Sequence, residues 1–309
     1  MTPPISRSFS RVFDFDFSRA FSWFAPALIA ATLGLCALSA QASGGGVPLD
    51  RFPTEKLKDL PSLQNGAKIF TNYCLNCHGI SLMRYNRMTD LGLTEAQIRD
   101  NLIPTGAKVG DTMKVSMSSK DAKEWFGAMP PDLSVTARSR ASQDGSGADW
   151  LYSYLRGFYR DSSRATGWNN TVYPNVGMPH VLWELQGSRG ANIEDVKAAA
   201  DAKPGEHAAL SRTLTTIDAV TGQRTEKVEA INDGHPHEGS TITLTPAVGG
   251  KLTQAQFDGQ IADLVAYLTY VSDPSAQTRT RLGTGVLLFL SLFVVLAWWL
   301  NREYWKDIK

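Results

Sequence analysis

Two stretches of the chain are apolar without interruption, and the rest alternates with a helical period or is polar. The stretch Leu282–Leu300, LGTGVLLFLSLFVVLAWWL, holds no charged residue and is long enough to cross a bilayer as a helix. Arg279 and Arg281 precede it, and Arg302, Lys306 and Lys309 follow. Trp298, Trp299, Tyr304 and Trp305 form an aromatic belt at its C-terminal side. The other run, Phe24–Leu38, is too short to span comfortably. It follows Arg7, Arg11 and Arg19 and leads into Ala40-Gln41-Ala42, the layout of an export signal cleaved at small residues. Residues 1–42 are therefore expected to be a signal peptide, with Cys36 inside it as an apolar residue. The expected organisation is a domain at 43–278 outside the cytoplasm, then an anchor and short cytoplasmic tail at 279–309.

Between these runs the hydrophobic spacing predicts helices. Leu63, Ala67, Phe70 and Tyr73 share one face of Leu63–Tyr73. Thr94–Asn101 opens on Thr94 with Gln97 three residues on, a capping box. Met113–Phe126 is mixed and ends as a short helix. Ala148–Tyr159 is an aromatic-rich helix, and Asp161–Pro179, rich in Gly, Asn and Pro, is loop. Phe257–Val271 carries an apolar stripe of Ile261, Leu264, Val265 and Leu268, stopped by Asp273-Pro274. The stretch 187–250 is polar and reads as an excursion from the core. Within it, Thr225–Ile231 and Ser240–Leu244 are expected to pair as a hairpin.

Composition adds mainly exclusions. The chain has 309 residues, 31 basic and 30 acidic, so no basic excess points to nucleic acid. Beyond residue 42 the cysteines are Cys74 and Cys77, two residues apart, a loop too short for a useful structural disulfide.

Their setting supplies another use. Cys74-Leu75-Asn76-Cys77-His78 is the attachment signature of a c-type haem. Each thiol adds to one vinyl group of the porphyrin, and the following histidine falls under the iron. A zinc knuckle would need a fourth ligand and a second cysteine pair. A thioredoxin-like dithiol would want a different strand–helix context. With one such motif, one covalent haem c is expected. For the sixth iron ligand the candidates are Met83, Met88, Met113, Met117, Met129 and Met178. Met83 and Met88 lie too near His78, Met113 and Met117 sit in a polar segment, and Met129 precedes Pro130-Pro131. Met178 stands in Val176-Gly177-Met178-Pro179-His180, a loop stiffened by Gly and Pro, and is favoured. His180 is its rival. His235 and His237 read as solvated loop residues. A methionine opposite histidine would raise the reduction potential.

The order of these features resembles the cytochrome c1 family. It runs from a helix entering CxxCH to Pro130-Pro131-Asp132-Leu133-Ser134 and an arginine-bearing turn at Arg138 and Arg140. An aromatic helix, a Gly-Met-Pro loop, a closing helix and a C-terminal span follow. The resemblance covers most of residues 50–309. It implies a mainly α fold, an extended class I cytochrome c domain with one C-terminal transmembrane helix. Gly66 and Phe70 would cross the last core helix near Tyr267. It implies that Met178 ligates iron with His78, that Arg140 meets a haem propionate, and that Pro131 lines the pocket. Two features depart from the family pattern: the long link Ala141–Gly147, and Trp150 where tyrosine is common. The implied function is electron transfer from a Rieske iron–sulfur protein to a cytochrome c, beside cytochrome b in a respiratory quinol–cytochrome c reductase. The main domain would face the periplasm from the inner membrane. A free-standing membrane-anchored cytochrome c explains haem and anchor equally well but accounts less well for the PPDLS stretch. A haem enzyme of the peroxidase or dehydrogenase type would need an open iron site or a second haem.

Overall fold

The computed structural model describes residues 48–115, 117–198, 210–231 and 239–307. The expected signal peptide at 1–42, and His235 and His237, lie outside the described residues. The helices are α1 (Leu60–Ile69), α2 (Glu95–Leu102), α3 (Ser119–Phe126), α4 (Thr136–Ser139), α5 (Gly147–Arg156), α6 (Trp183–Gln186), α7 (Gln254–Ser272) and α8 (Ala276–Tyr304). The strands are β1 (Ile80–Arg84), β2 (Thr112–Met113), β3 (Phe158–Arg160), β4 (Trp168–Asn170), β5 (Ala191–Ala198), β6 (Leu210–Ile217), β7 (Arg224–Ile231) and β8 (Gly239–Leu244).

The core is organised by α1 crossing α7 at Gly66. A Cβ on Gly66 would lie 2.1 Å from the Asp263 carbonyl oxygen and 2.7 Å from Tyr267 Cβ. No side chain fits there, so only glycine permits this approach. One turn on, the Phe70 and Tyr267 rings pack with centroids 5.8 Å apart. The expected crossing of Gly66 and Phe70 with Tyr267 is therefore present. Asp59 caps α1 by accepting from the Ser62 amide at 3.2 Å. The capping boxes Thr94/Gln97 and Thr253/Gln256 open α2 and α7, each satisfying amide groups that a helix start leaves bare. α7 stops at Asp273, before Pro274.

Three elements differ from the periodicity reading. The first helix ends as a π-turn at Phe70–Cys74, closed by the Leu75 amide on the Phe70 carbonyl at 3.0 Å. The aromatic helix α5 stops at Arg156, three residues short of expectation, and is followed by Gly157, where a Cβ would meet Thr171 Oγ1 at 2.4 Å. Phe158 and Tyr159 then lie on strand β3, paired antiparallel with β4, which falls inside the expected loop. Both are buried, but in different clusters: Phe158 with Trp168 and Val176, Tyr159 with Ala191 and Ile217. Burial on alternate sides is what a strand provides. The i, i+4 spacing of Tyr154 and Phe158 imitated a helix.

The polar excursion is a four-stranded antiparallel sheet in the order β7-β6-β5-β8. The expected hairpin between Thr225–Ile231 and Ser240–Leu244 is not formed. β7 pairs with β6, and β8 pairs with β5. The turn Asp218–Gln223 explains the first pairing. Asp218 Oδ1 accepts from the Val220 and Thr221 amides at 3.0 and 2.7 Å, and Gly222 takes φ +71°. Apolar surface explains the second: Ile242 and Leu244 of β8 pack with Ile193 of β5 against Tyr159, Ala191 and Ile217.

No residue of α8 is buried, and its central window has a mean hydropathy of 2.1. It is long and apolar enough to cross a membrane.

Candidate haem site

Cys74 closes the π-turn, and Cys77 and His78 follow in a tight turn whose amides both return to the Cys74 carbonyl, at 3.0 and 2.8 Å. Both cysteines are free thiols. Burial, helped by the neighbouring Cys77 thiol, pushes the Cys74 thiol up to about 12. Burial also lowers the basicity of His78, against a hydrogen bond to Pro131 and the charge of Asp132. Its imidazole is therefore neutral near pH 7. His78 Nδ1 lies 2.7 Å from the Pro131 carbonyl oxygen. A carbonyl can only accept, so Nδ1 carries the proton and Nε2 keeps its lone pair for a metal.

The Pro130–Ser134 stretch is stitched to the residues after His78. The Leu133 amide donates to the Gly79 carbonyl at 2.8 Å. The Ser81 amide donates to Asp132 Oδ2 at 2.8 Å, and the Leu82 amide to Ser134 Oγ at 3.1 Å. Burial alone would raise the Asp132 carboxyl, but hydrogen bonds from Ser134 and Ser81 outweigh it and hold the group below its ordinary range. Pro131, expected as pocket lining, fixes the His78 tautomer through its carbonyl. Asp132 and Ser134, named from the sequence only as part of the PPDLS stretch, tie that stretch to Ser81 and Leu82.

A second cluster gathers Met178, Arg140 and the aromatic helix. Tyr154 Oη donates to Met178 Sδ at 3.4 Å. Trp150 stacks on Tyr154 at 4.8 Å and 11°, and the Arg140 guanidinium covers Trp150 at 4.4 Å from its centroid. Arg140 is exposed and makes no ion pair among the described residues. The loop leading to Met178 is built on two buried asparagines. Asn170 Oδ1 accepts from the Val172 and Tyr173 amides at 2.9 and 3.1 Å. Asn169 Oδ1 accepts from the amide of Asn175 at 2.8 Å, where the backbone is left-handed, φ 63°. Asn-rich loop composition was the signal for these anchors; which amides they hold was not readable.

Of the other candidate methionines, Met117 is half-buried. Met83, Met88 and Met113 are core residues; Met113 is buried on β2 with its sulfur 3.5 Å from Tyr267 Oη, so its segment is not simply polar. Met129 is exposed. His180, the rival ligand, is buried with its ring flat on Phe158 at 4.8 Å and edge-on to Trp168 at 5.0 Å.

Two unpaired thiols at this spacing, an imidazole with Nε2 free and a thioether held by a phenol form a donor set suited to a covalent haem c. The comparisons with known proteins decide the family. A model described as Cytochrome C1 family matches residues 53–214 and 248–308. The cytochrome c1 of Allochromatium vinosum is 39% identical, over 91% of this chain and 98% of that one. The chain belongs to the cytochrome c1 family. A protein named ammonia monooxygenase gamma subunit, from Nitrosomonas europaea, is 40% identical over 87% of this chain and 92% of its own. The cytochrome c1 of Rhodospirillum rubrum is 27% identical over 88% and 92%. Cytochrome c1 proteins carry one covalently bound haem c and transfer electrons in the bc1 complex, as a membrane-anchored subunit; the apolar α8 fits that anchoring. The free-standing cytochrome is not favoured. The gap in the family match, 215–247, holds β7 and β8 entire.

Proposed function

We propose that this chain is the haem relay of a quinol–cytochrome c reductase, taking one electron from a Rieske iron–sulfur protein and passing it to a cytochrome c. Cys74 and Cys77 would hold the haem by thioether bonds, and His78 Nε2 and Met178 Sδ would ligate its iron. A bound haem c would supply a centre that takes up and gives up one electron, with no bond made or broken in a substrate. The work of the protein residues is to hold and bias that centre. Pro131 fixes the His78 tautomer. Asn169 and Asn170 fix the loop that carries Met178. Arg140, with no carboxylate partner among the described residues, meets a propionate by a charge-assisted bond. The domain at 43–278 has the extended class I cytochrome c fold on the periplasmic side, delivered there by a signal peptide at 1–42. α8 anchors it in the cell membrane beside cytochrome b, with 279–309 as anchor and cytoplasmic tail.

The single observation that carries this reading is the hydrogen bond from His78 Nδ1 to the Pro131 carbonyl. It leaves one basic ring nitrogen beside two thiols, in a stretch the family model covers. The name of the Nitrosomonas protein speaks of a monooxygenase, but the family match and the Allochromatium cytochrome c1, at nearly the same identity, favour the relay. Met178→Ala tests the axial set. The haem should stay attached, its reduction potential should fall, and the ferrous form should bind carbon monoxide. An unchanged potential would remove Met178 as ligand, and rapid carbon monoxide binding by the unmutated protein would remove the relay. Cys77→Ala should weaken or abolish attachment, read from haem that survives denaturing electrophoresis. Copurification in mild detergent with a cytochrome b and a Rieske protein tests the assembly.

A further inference from the structure

Tyr154 makes a contact to the presumed ligand sulfur that haem attachment and axial ligation do not require. Its hydroxyl donates to Met178 Sδ at 3.4 Å. The ring that carries the hydroxyl is held firmly. Trp150 stacks on it at 4.8 Å and Phe158 meets it edge-on at 5.3 Å. The Asn170 side-chain amide donates to the Tyr154 carbonyl at 2.8 Å. That last bond ties the end of α5 to the loop that brings Met178, so hydroxyl and sulfur are set relative to each other from two directions. A phenol carries its proton at neutral pH and acts as a donor.

A thioether sulfur has two lone pairs. One can ligate a metal while the other accepts a hydrogen bond. A donor on the second pair draws electron density from the sulfur, so the sulfur gives less to the metal. Ferric iron, the more electron-poor state, loses more by this than ferrous iron. The reduced state is then favoured and the potential rises, an outer-shell lever on a haem centre.

We propose that Tyr154 is a positioning residue for the Met178 thioether, and that its hydrogen bond to Sδ raises the reduction potential of the iron that Met178 ligates. This rests on the reading of Met178 as the axial ligand. The side chain that tunes the relay thus comes from the aromatic helix rather than from the ligand loop. It sits on the same helix face as Trp150, where Arg140 is stacked.

Tyr154→Phe removes the hydroxyl and keeps the ring in its stack, so folding is spared. In the purified, haem-loaded full chain, the ferric methionine-to-iron charge-transfer band should persist and the thermal unfolding midpoint should hold. The midpoint potential should fall below that of the unmutated protein. An unchanged or higher potential, with Met178→Ala lowering it as expected, overturns the proposal while the ligand reading stands. The double variant separates mechanisms further. Added to Met178→Ala, Tyr154→Phe should shift the potential no more. A second drop of the same size would mean the hydroxyl acts through another path and would overturn the proposal. If Met178→Ala alone leaves the potential unchanged, the ligand reading falls first and the Tyr154 proposal falls with it.

Discussion

The crossing of α1 and α7 and the sheet β5–β8 solve opposite problems. At the crossing, buried residues come from both helices, and the backbones approach so closely that Gly66 tolerates no Cβ. In the sheet, one small cluster of Ala191, Ile217, Ile193, Ile242 and Leu244 faces Tyr159. The outer strand β7 is largely exposed. The crossing lies inside the family match and leads directly to Cys74. The family match thus covers the stretch around Cys74 and leaves out the strands β7 and β8. The sheet is tied to the Met178 loop through Asp161. Asp161, fully buried, accepts from Arg224 Nη2 of β7 at 2.6 Å and from the Asn169 side chain at 3.0 Å. Asn169 in turn holds the amide of Asn175 in the Met178 loop.

The largest effect should come from Gly66→Ala. Overpacking a core costs about 1–3 kcal/mol, and here the new methyl meets a backbone carbonyl that cannot rotate away. We expect a loss of about 3 kcal/mol or more, read as a lower unfolding midpoint and a smaller yield of haem-loaded protein. Normal yield and midpoint would mean that α1 and α7 can move apart at little cost.

Next is Arg224→Met. Removing one partner of a buried ion pair costs about 3–5 kcal/mol. Arg224 is partly exposed and Asp161 keeps Ser163 and Asn169, so about 2 kcal/mol is expected. Amide hydrogen exchange should rise in β6 and β7 but not in α1 and α7. The effect depends on pH. Burial would raise the Asp161 carboxyl, but Arg224, Ser163 and Asn169 together hold it well below the ordinary carboxylate range. A carboxyl depressed in the folded state adds stability above its unfolded pKa of about 3.9 and loses it as pH falls further. The stability gap between the unmutated and Arg224→Met proteins should be full above pH ~5 and shrink steadily below pH ~4. A constant gap across that range would show that the pair contributes packing and not charge.

The same contrast explains what was legible. Cys74, Cys77 and His78 stand out in the sequence because a haem-attachment motif demands particular residue types at set spacing, and Met178 stands out by its Gly/Pro loop. Gly66 against Tyr267 was readable through the family resemblance, and the caps at Thr94 and Thr253 follow local rules; the sequence reading named the first. The partners of β8 were hidden because strand pairing is decided by non-local apolar surface. Ile242 and Leu244 show no preference for β5 over β7 until Tyr159 is placed. The end of α5 was hidden for a related reason, since Phe158 and Tyr159 leave the helix to pair with Asn170 and Asn169 of β4. Pro131 was identified as part of the pocket, but its hydrogen bond to His78 spans 53 positions and has no local signature.

A smaller effect is expected at the start of α7. Thr253→Ala removes one half of the capping box that opens the longest core helix. Such caps are worth about 1 kcal/mol, and the loss should lower the unfolding midpoint without changing the haem spectrum. No change would mean that the buried face of α7 alone holds its first turn.

The smallest effect should be on the outer strand. Val228 is 68% exposed on β7, with Thr213 of β6 opposite it in register. Val228→Thr keeps the branch at Cβ that suits a strand and exchanges an exposed methyl for a hydroxyl beside another threonine. No apolar cluster loses a member, since the packed side of the sheet is built from β5, β6 and β8. The stability change should stay within about 0.5 kcal/mol, with haem spectrum and potential unmoved. A loss as large as that of Arg224→Met would mean that Val228 is covered in the assembled protein. The outer strand would then be a contact surface and not a solvated edge.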